Sequence, residues 1–168
     1  MVIRLDKYLC DMQAGTRSAV KDIIRKKKVT INGEVITRPE TKVDIDKDVV
    51  TIDNNVLGYS EYEYYMLNKP AGVVSAVSDK NFKTVVELIT DKKRKDLFPV
   101  GRLDKDTEGL LIITNNGDMA HRLLSPKHHI DKTYYVVAKG SIDNKYIDEF
   151  KNGLVVDKDF TAMPAKLE

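Results

Sequence analysis

The side chains best suited to chemistry lie in a charged loop bounded by Gly101 and Gly109, directly before the apolar run at residues 110–114. A loop that leads into a rigid strand can hold catalytic groups firmly while leaving them exposed to a substrate. Within it, Arg102 and Asp104 are two residues apart and would face the same side of an extended chain. An arginine beside a carboxylate favours the ionised form, which is the nucleophilic one. The pair is therefore a candidate for a nucleophilic aspartate, although the pair by itself, without further context, favours a surface ion pair or a turn-capping aspartate.

The tetrapeptide Arg-Leu-Asp-Lys around this candidate occurs twice, at residues 4–7 and 102–105. Only the second copy precedes an apolar strand, so its context, and not the tetrapeptide itself, indicates a site. Asp104 is accordingly the candidate catalytic residue. Asp6, at the same place in the other copy, is the internal control, for which no catalytic role is expected.

Two other side chains are candidates for substrate binding. Tyr134 follows Lys132-Thr133 and could stack on a nucleic-acid base, a contact worth about 1–3 kcal/mol, or could belong to the core. Lys69, which precedes Pro70, could line a site or simply end a strand.

No metal or cofactor site is predicted. Cys10 is the only cysteine, which excludes an internal disulfide and a cysteine-based zinc site. The sequence contains neither a glycine-rich phosphate loop nor a serine-histidine-acid order. Its three histidines do not follow a common zinc spacing; they are His121, His128 and His129.

Positive charge is concentrated near the N-terminus. Residues 1–42 carry a net charge of +5, whereas the whole 168-residue chain carries +2. A basic block confined to one module indicates contact with a polyanion, although lysine-rich helices can also serve only solubility. The balance of 42% hydrophobic and 32% charged residues is typical of a soluble globular protein, and we expect a cytoplasmic one.

Two short helices would position this charge. Apolar residues spaced i, i+3, i+4 and i+7 predict a helix at residues 4–13, and Thr16 is placed to cap a second helix at about 17–28. Four cations share one arc of the second helix, where like charges repel mildly and a bound anion would offset the repulsion. With two cations from the first helix they form the predicted nucleic-acid-binding set: Arg4, Lys7, Arg17, Lys21, Arg25 and Lys28.

The remaining pattern predicts an α+β fold. Asn32-Gly33 supplies the positive φ angles of a type I′ hairpin at residues 29–35, and residues 54–61 are turn formers that mark a domain boundary. The run at 110–114 is expected to be a strand buried on both faces. Other predicted strands are at 42–45, 49–52, 62–67, 98–100, 132–139 and 154–156; other predicted helices are at 84–89, from Asp118 to about 125, and at 141–151.

Residues 101–117, Gly-Arg-Leu-Asp-Lys-Asp-Thr-Glu-Gly-Leu-Leu-Ile-Ile-Thr-Asn-Asn-Gly, strongly resemble the central motif of the pseudouridine synthases that modify ribosomal RNA. Many relatives carry aspartate where Asn116 stands, a departure outside the Arg-Leu-Asp core. Residues 66–72 are similar to the family's opening strand and loop, and residues 132–134 to the segment with its base-stacking tyrosine. Residues 4–52 resemble the alpha-L RNA-binding domain, the type shared with ribosomal protein S-four.

This resemblance implies an activity and roles for the candidates. A uridine of ribosomal RNA would leave its stack, Asp104 would attack its sugar or its ring, and the base would rejoin through carbon 5. Tyr134 would stack on the base, Arg102 would orient the RNA or pair with Asp104, and Lys69 would contact the substrate. Such an isomerisation needs no cofactor, metal or redox partner.

The resemblance also implies an architecture and a partner. We expect a helix–helix–hairpin RNA-binding domain at residues 1–55, a linker at 56–61, and a catalytic domain with a mixed, mainly antiparallel sheet at 62–168. Relatives continue past the position of Glu168, so we expect a truncated sheet and impaired activity. Residues 125–134 are most similar to the small-subunit pseudouridine synthase A branch, which implies 16S ribosomal RNA, free or in a pre-ribosomal particle, as the partner of a monomer without membrane contact.

A non-catalytic RNA-binding or ribosome-assembly protein is the alternative function, because the basic helix would serve either role. The loop with Arg102 and Asp104, together with Tyr134, favours the enzyme. A DNA-binding regulator fits less well, since no recognition helix or dimerisation element is evident.

Overall fold

The computed structural model describes residues 1–128, 130–137 and 139–168 of the chain. These residues form two units, Met1–Ile130 and Asp131–Glu168. Helices and antiparallel strands are both present, which confirms the predicted α+β class. None of the helices within these ranges has the length and apolar character that a membrane span requires.

The N-terminal part of the first unit contains the two predicted helices. Its elements, in chain order, are β1 (Val2–Arg4), α1 (Leu5–Asp11), α2 (Arg17–Arg25), β2 (Val29–Ile31), β3 (Glu34–Val35), β4 (Lys42–Asp44), β5 (Val50–Ile52) and β6 (Asn55–Val56). Thr16 caps α2 as predicted, because its side-chain oxygen accepts a hydrogen bond from Ala19 N at 3.3 Å. Helix α2 ends at Arg25 and not at residue 28, since Lys27 adopts a left-handed φ of +61° that a right-handed helix cannot contain. Lys28 therefore lies outside the helix.

The strands of this part form two small sheets. Strand β2 pairs with β3 and β5, and β6 extends the sheet, in the order β3-β2-β5-β6, while β1 pairs with β4. Asn32 and Gly33 have φ angles of +52° and +86°, as the predicted type I′ turn requires. Helices and strands share one hydrophobic core, in which Leu9, Val20 and Val29 are fully buried.

A three-stranded sheet carries the loop with Asp104. It comprises β7 (Tyr64–Lys69), β8 (Phe98–Val100) and β9 (Gly109–Thr114) in the antiparallel order β7-β9-β8. Leu111 and Ile113 of β9 lie in a core with Leu97, named here the sheet core, but Leu110 is 68% exposed. The prediction that this strand is buried on both faces was wrong, because an antiparallel sheet can leave one face in solvent.

Three helical segments complete the first unit, the last of them a short 3-10 helix (Pro126–His128). A 3-10 helix (Val85–Leu88) occupies the helix predicted at 84–89, and α3 (Gly117–Leu124) follows β9. The cap of α3 is Asn116, whose side chain accepts a hydrogen bond from Met119 N at 3.0 Å, and not the predicted Asp118.

The second unit contains helix α4 (Lys145–Asn152), close to the helix predicted at 141–151. The strand predicted at 154–156 is reduced to a single bridge between Val155 and Thr161. A lone bridge contributes little, because an isolated strand pair is marginal in water.

The strand predicted at 132–139 is not formed by residues 132–137, which have no regular secondary structure. Ala138 and His129, two residues covered by the predictions, lie outside the described residues.

Candidate active site and nucleic-acid interface

The candidate nucleophile lies on a turn between β8 and β9. The main-chain carbonyl of Asp104 accepts a hydrogen bond from Thr107 N at 3.1 Å, which closes a tight turn over residues 104–107. The side chains of Arg102 and Asp104 are exposed, whereas Leu103 between them is partly buried against the sheet core. The loop thus presents polar groups outward and is anchored by an apolar one.

Ser75 holds the residue before Asp104 through two hydrogen bonds. Its hydroxyl donates to the carbonyl of Leu103 at 2.7 Å and accepts from Leu103 N at 3.1 Å. Ser75 is buried, and hydrogen bonds are stronger where the local dielectric is low. Sequence reasoning missed this serine, because it is 28 residues away from Leu103 and no local signal points to the contact.

Lys69 holds the following part of the loop. Its side chain is 0% exposed, and Nζ donates to the carbonyls of Pro70, Lys105 and Thr107 at 3.0, 2.9 and 2.7 Å. The carbonyl of Lys105 also accepts a hydrogen bond from Gly72 N at 2.9 Å. All three ammonium N–H donors are therefore used by main-chain oxygens. This geometry favours a positioning role for Lys69 over the substrate contact predicted from the sequence.

The two copies of Arg-Leu-Asp-Lys differ in whether the arginine and the aspartate form a salt bridge. In the first copy, the Arg4 guanidinium donates to both carboxylate oxygens of Asp6, at 3.0 and 2.7 Å, and these hydrogen bonds lower the pKa of Asp6. In the second copy, Arg102 and Asp104 form no salt bridge with each other or with another described residue. The expected pairing is absent because both side chains are in solvent, where an ion pair gains little. The Asp104 carboxylate is thus open to a substrate.

Tyr134 belongs to the second unit, where its side chain is 61% exposed. Such exposure argues against the core interpretation of this tyrosine, since buried aromatic rings are the ones that stabilise a core. Its stacking role stays a prediction.

Four of the six predicted nucleic-acid-binding residues meet in one cleft of about 540 Å³ in the first unit. The cations that line this cleft, named here the basic cleft, are Arg4, Lys7, Arg17, Lys21 and Lys95. The other two predicted cations have acidic partners outside it. The Arg25 guanidinium lies 3.7 Å from the Asp22 carboxylate, and Lys28 Nζ lies 3.1 Å from the Asp53 carboxylate.

The basic cleft keeps an excess of positive charge after its own acids are neutralised. Asp6 is paired with Arg4, and Asp11 accepts a hydrogen bond from Lys7 Nζ at 2.5 Å, which raises the pKa of Lys7. The remaining lining cations form no salt bridge with a described residue; they are Arg17, Lys21 and Lys95. A lining with an excess of positive charge attracts anionic ligands, so the basic cleft is suited to a polyanion.

Lys95 was missed by sequence reasoning, which confined the binding surface to the N-terminal block. The signal that could have found it is the basic run at residues 92–95, Lys-Lys-Arg-Lys.

Within the described ranges, no group of three or more histidine, cysteine, aspartate or glutamate side chains is arranged to hold a metal ion.

Two family models match separate parts of the chain. The model described as RNA pseudouridylate synthase matches residues 63–164, and the model described as S4 domain matches residues 3–50. The loop with Asp104 falls within the first match, and most of the basic cleft falls within the second.

Individual relatives agree with these matches. An uncharacterized RNA pseudouridine synthase of Bacillus subtilis is 42% identical over 99% of this chain and 70% of its own length. The ribosomal small subunit pseudouridine synthase A of Haemophilus influenzae is 34% identical over 99% of this chain and 72% of its own length. The crystal structure of a pseudouridylate synthase, at 33% identity, superposes with a TM-score of 0.59 over 99% of this chain and 72% of that one. These matches confirm the resemblance seen in the sequence: the chain belongs to the RNA pseudouridylate synthase family and carries an S4 domain in its N-terminal part.

Proposed function

We propose that the chain converts uridine to pseudouridine in ribosomal RNA, with 16S RNA of the small subunit as substrate and Asp104 as nucleophile. The observation that carries the proposal is the exposed Asp104 carboxylate, free of salt bridges with described residues, on a loop held at both ends by buried side chains. A carboxylate without an ion-pair partner on an anchored main chain meets two needs of a covalent nucleophile, which are a defined position and an available anionic oxygen.

The chemistry follows from the difference between substrate and product. In uridine the ribose is bonded to nitrogen 1 of the base, and in pseudouridine it is bonded to carbon 5. Asp104 attacks either the sugar or the ring, the bond to nitrogen 1 breaks, the base turns, and the bond to carbon 5 forms. Carbon 5 then loses its proton and nitrogen 1 gains one, so the product is an isomer and the carboxylate is regenerated.

The other residues support this step in separate ways. Lys69 and Ser75 hold the loop through its main chain. Arg102, exposed beside the nucleophile, would bind RNA phosphate, and Tyr134 would stack on the displaced base. In this proposal residues 1–55 bind RNA through the basic cleft and residues 62–168 carry out the reaction.

The test compares Asp104→Asn with Asp106→Asn, a matched change two residues further along the same exposed loop. Each variant of the full chain is incubated with unmodified 16S and 23S RNA, and pseudouridine is mapped by position. We expect Asp104→Asn to reduce turnover to background while RNA affinity changes by less than about tenfold, or about 1.4 kcal/mol. Asp106→Asn should keep both.

Three results would contradict parts of the proposal. Pseudouridine formation by Asp104→Asn would show that Asp104 is not the nucleophile. Product in 23S RNA alone would show that 16S RNA of the small subunit is not the substrate. Wild-type chain that binds RNA without forming pseudouridine would favour the non-catalytic RNA-binding alternative.

A further inference from the structure

The basic cleft does not belong to the S4 domain alone. Its lining residue Lys95 lies outside residues 3–50 and inside residues 63–164, the part matched to the synthase family. Lys95 is exposed and shares the cleft with Arg17 and Lys21 of helix α2. Cations from two different parts of the chain therefore face one space.

The residue before Lys95 is fixed by buried ionic contacts. Arg94 is 5% exposed, and its guanidinium donates two hydrogen bonds to the Asp96 carboxylate at 2.9 and 2.7 Å. It also donates to the Tyr59 hydroxyl at 3.1 Å and lies 3.5 Å from the carboxylate of Asp11. Since Asp11 is itself a residue of the cleft wall, the wall and the segment that carries Lys95 share one ionic network.

Main-chain contacts fix the same segment against the N-terminal part. Gln13 Nε2 donates to the carbonyl of Lys92 at 2.8 Å. The N–H groups of Lys93 and Arg94 donate to the Glu63 carboxylate at 2.9 to 3.2 Å. The main chain directly before Lys95 is therefore held by Gln13 from one family-matched part and by Glu63 from the other.

We propose that Lys95 binds a phosphate of the same RNA segment that the S4 domain holds, so that one stretch of RNA backbone contacts both family-matched parts of the chain. The inference rests on the proposed function, in which the ligand of the basic cleft is RNA. A phosphodiester backbone is the ligand that fits, because it brings evenly repeated negative charge to three cations without salt-bridge partners among the described residues.

This contact would align the RNA with the nucleophile. Lys95 is followed by β8, and β8 leads into the loop with Asp104. Only eight residues of continuous chain separate Lys95 from Asp104, and most of them lie in β8 or in the anchored loop, so a phosphate bound at Lys95 would have a defined position relative to the nucleophile.

The test is the salt dependence of binding of the full chain to unmodified 16S RNA. Each phosphate contact adds about 0.7 to 0.9 to the slope of log affinity against log salt. Between 50 and 200 mM salt, we expect Lys95→Gln to lose about threefold less affinity than the wild type, the consequence of one lost contact. Arg17→Gln is the positive control and should behave alike. Lys93→Gln, whose exposed side chain has no described partner and does not line the cleft, should match the wild type.

The outcomes separate this inference from the proposed function. A wild-type slope for Lys95→Gln beside a reduced slope for Arg17→Gln would overturn the role of Lys95 and leave the RNA substrate intact. An equal reduction for Lys93→Gln and Lys95→Gln would also overturn it, because the effect would then be one of net charge. Wild-type chain without measurable RNA affinity would overturn both.

Discussion

Replacing Lys69 with methionine keeps an unbranched side chain of similar apolar length and removes the ammonium group that holds the Asp104 loop. Three carbonyls lose a donor, but that of Lys105 keeps its second hydrogen bond from Gly72 N. The carbonyls of Pro70 and Thr107 keep none among the described contacts. An unsatisfied acceptor costs about 1–3 kcal/mol, and since water can reach part of this surface loop, we expect a loss of about 2–4 kcal/mol in the free energy of unfolding.

The functional effect should be measurable separately from the loss of stability. A displacement of the reacting group by about 1 Å can cost about a hundredfold in rate, so turnover should fall by at least tenfold under conditions where the variant is still folded. RNA affinity should stay within about twofold of the wild type, because Lys69 does not line the basic cleft. Urea unfolding, amide hydrogen exchange of residues 101–109, pseudouridine mapping and RNA binding measure these quantities.

The matched control is Lys80→Met, the same substitution at an exposed lysine without a described partner. It should leave stability and loop protection unchanged. Wild-type stability and wild-type exchange of the loop in Lys69→Met, together with weakened RNA binding, would refute the positioning role. That result would restore the substrate contact predicted from the sequence.

Two further changes test contacts described above. Ser75→Ala removes both hydrogen bonds to Leu103 and should lower the free energy of unfolding, measured by urea unfolding, by about 1–3 kcal/mol. Ser78→Ala, at an exposed position, is the control. Equal stability of the two variants would show that Ser75 does not hold the loop. At Asp96, burial opposes ionisation, but the hydrogen bonds from Arg94 outweigh it and the pKa lies below its ordinary value of 3.8. The stabilisation from a lowered carboxyl pKa is complete above about pH 4 and is lost as the pH falls through the folded-state pKa. Asp96→Asn should therefore lower stability at pH 7 and flatten the acid decline below pH 4, and an unaltered decline in urea unfolding between pH 2.5 and 7 would count against this linkage.

Local signals predicted the N-terminal elements well. The cap at Thr16 and the turn at Asn32 and Gly33 depend on residues within three positions of each other, so single-sequence reasoning has all the information that it needs. The end of helix α2 was harder, because residues 26–28 are helix-compatible cations and the left-handed φ of Lys27 has no side-chain signal.

Long-range contacts were beyond the reach of the sequence. An apolar run such as β9 shows that a strand is buried but not how many of its faces are covered, and Leu110 proved exposed. Ser75 and Lys69 act on a loop 28 to 38 residues away, and only the pairing of β7 with β9 brings that loop near Lys69. For the same reason the spacing of Arg102 and Asp104 predicted neighbouring side chains and left an ion pair as one alternative, and no salt bridge joins the two.

The hydrogen bonds from Lys69, Gly72 and Ser75 to the Asp104 loop all end on main-chain atoms. Every amino acid except proline brings the same N–H and carbonyl groups to such contacts. Side chains at residues 105–107 can therefore be exchanged without moving the carboxylate of the neighbouring aspartate. Under the proposed function, the surface around Asp104 can therefore diverge while the nucleophile keeps its place, so that substitutions at residues 105–107 would change the RNA target without changing the chemistry.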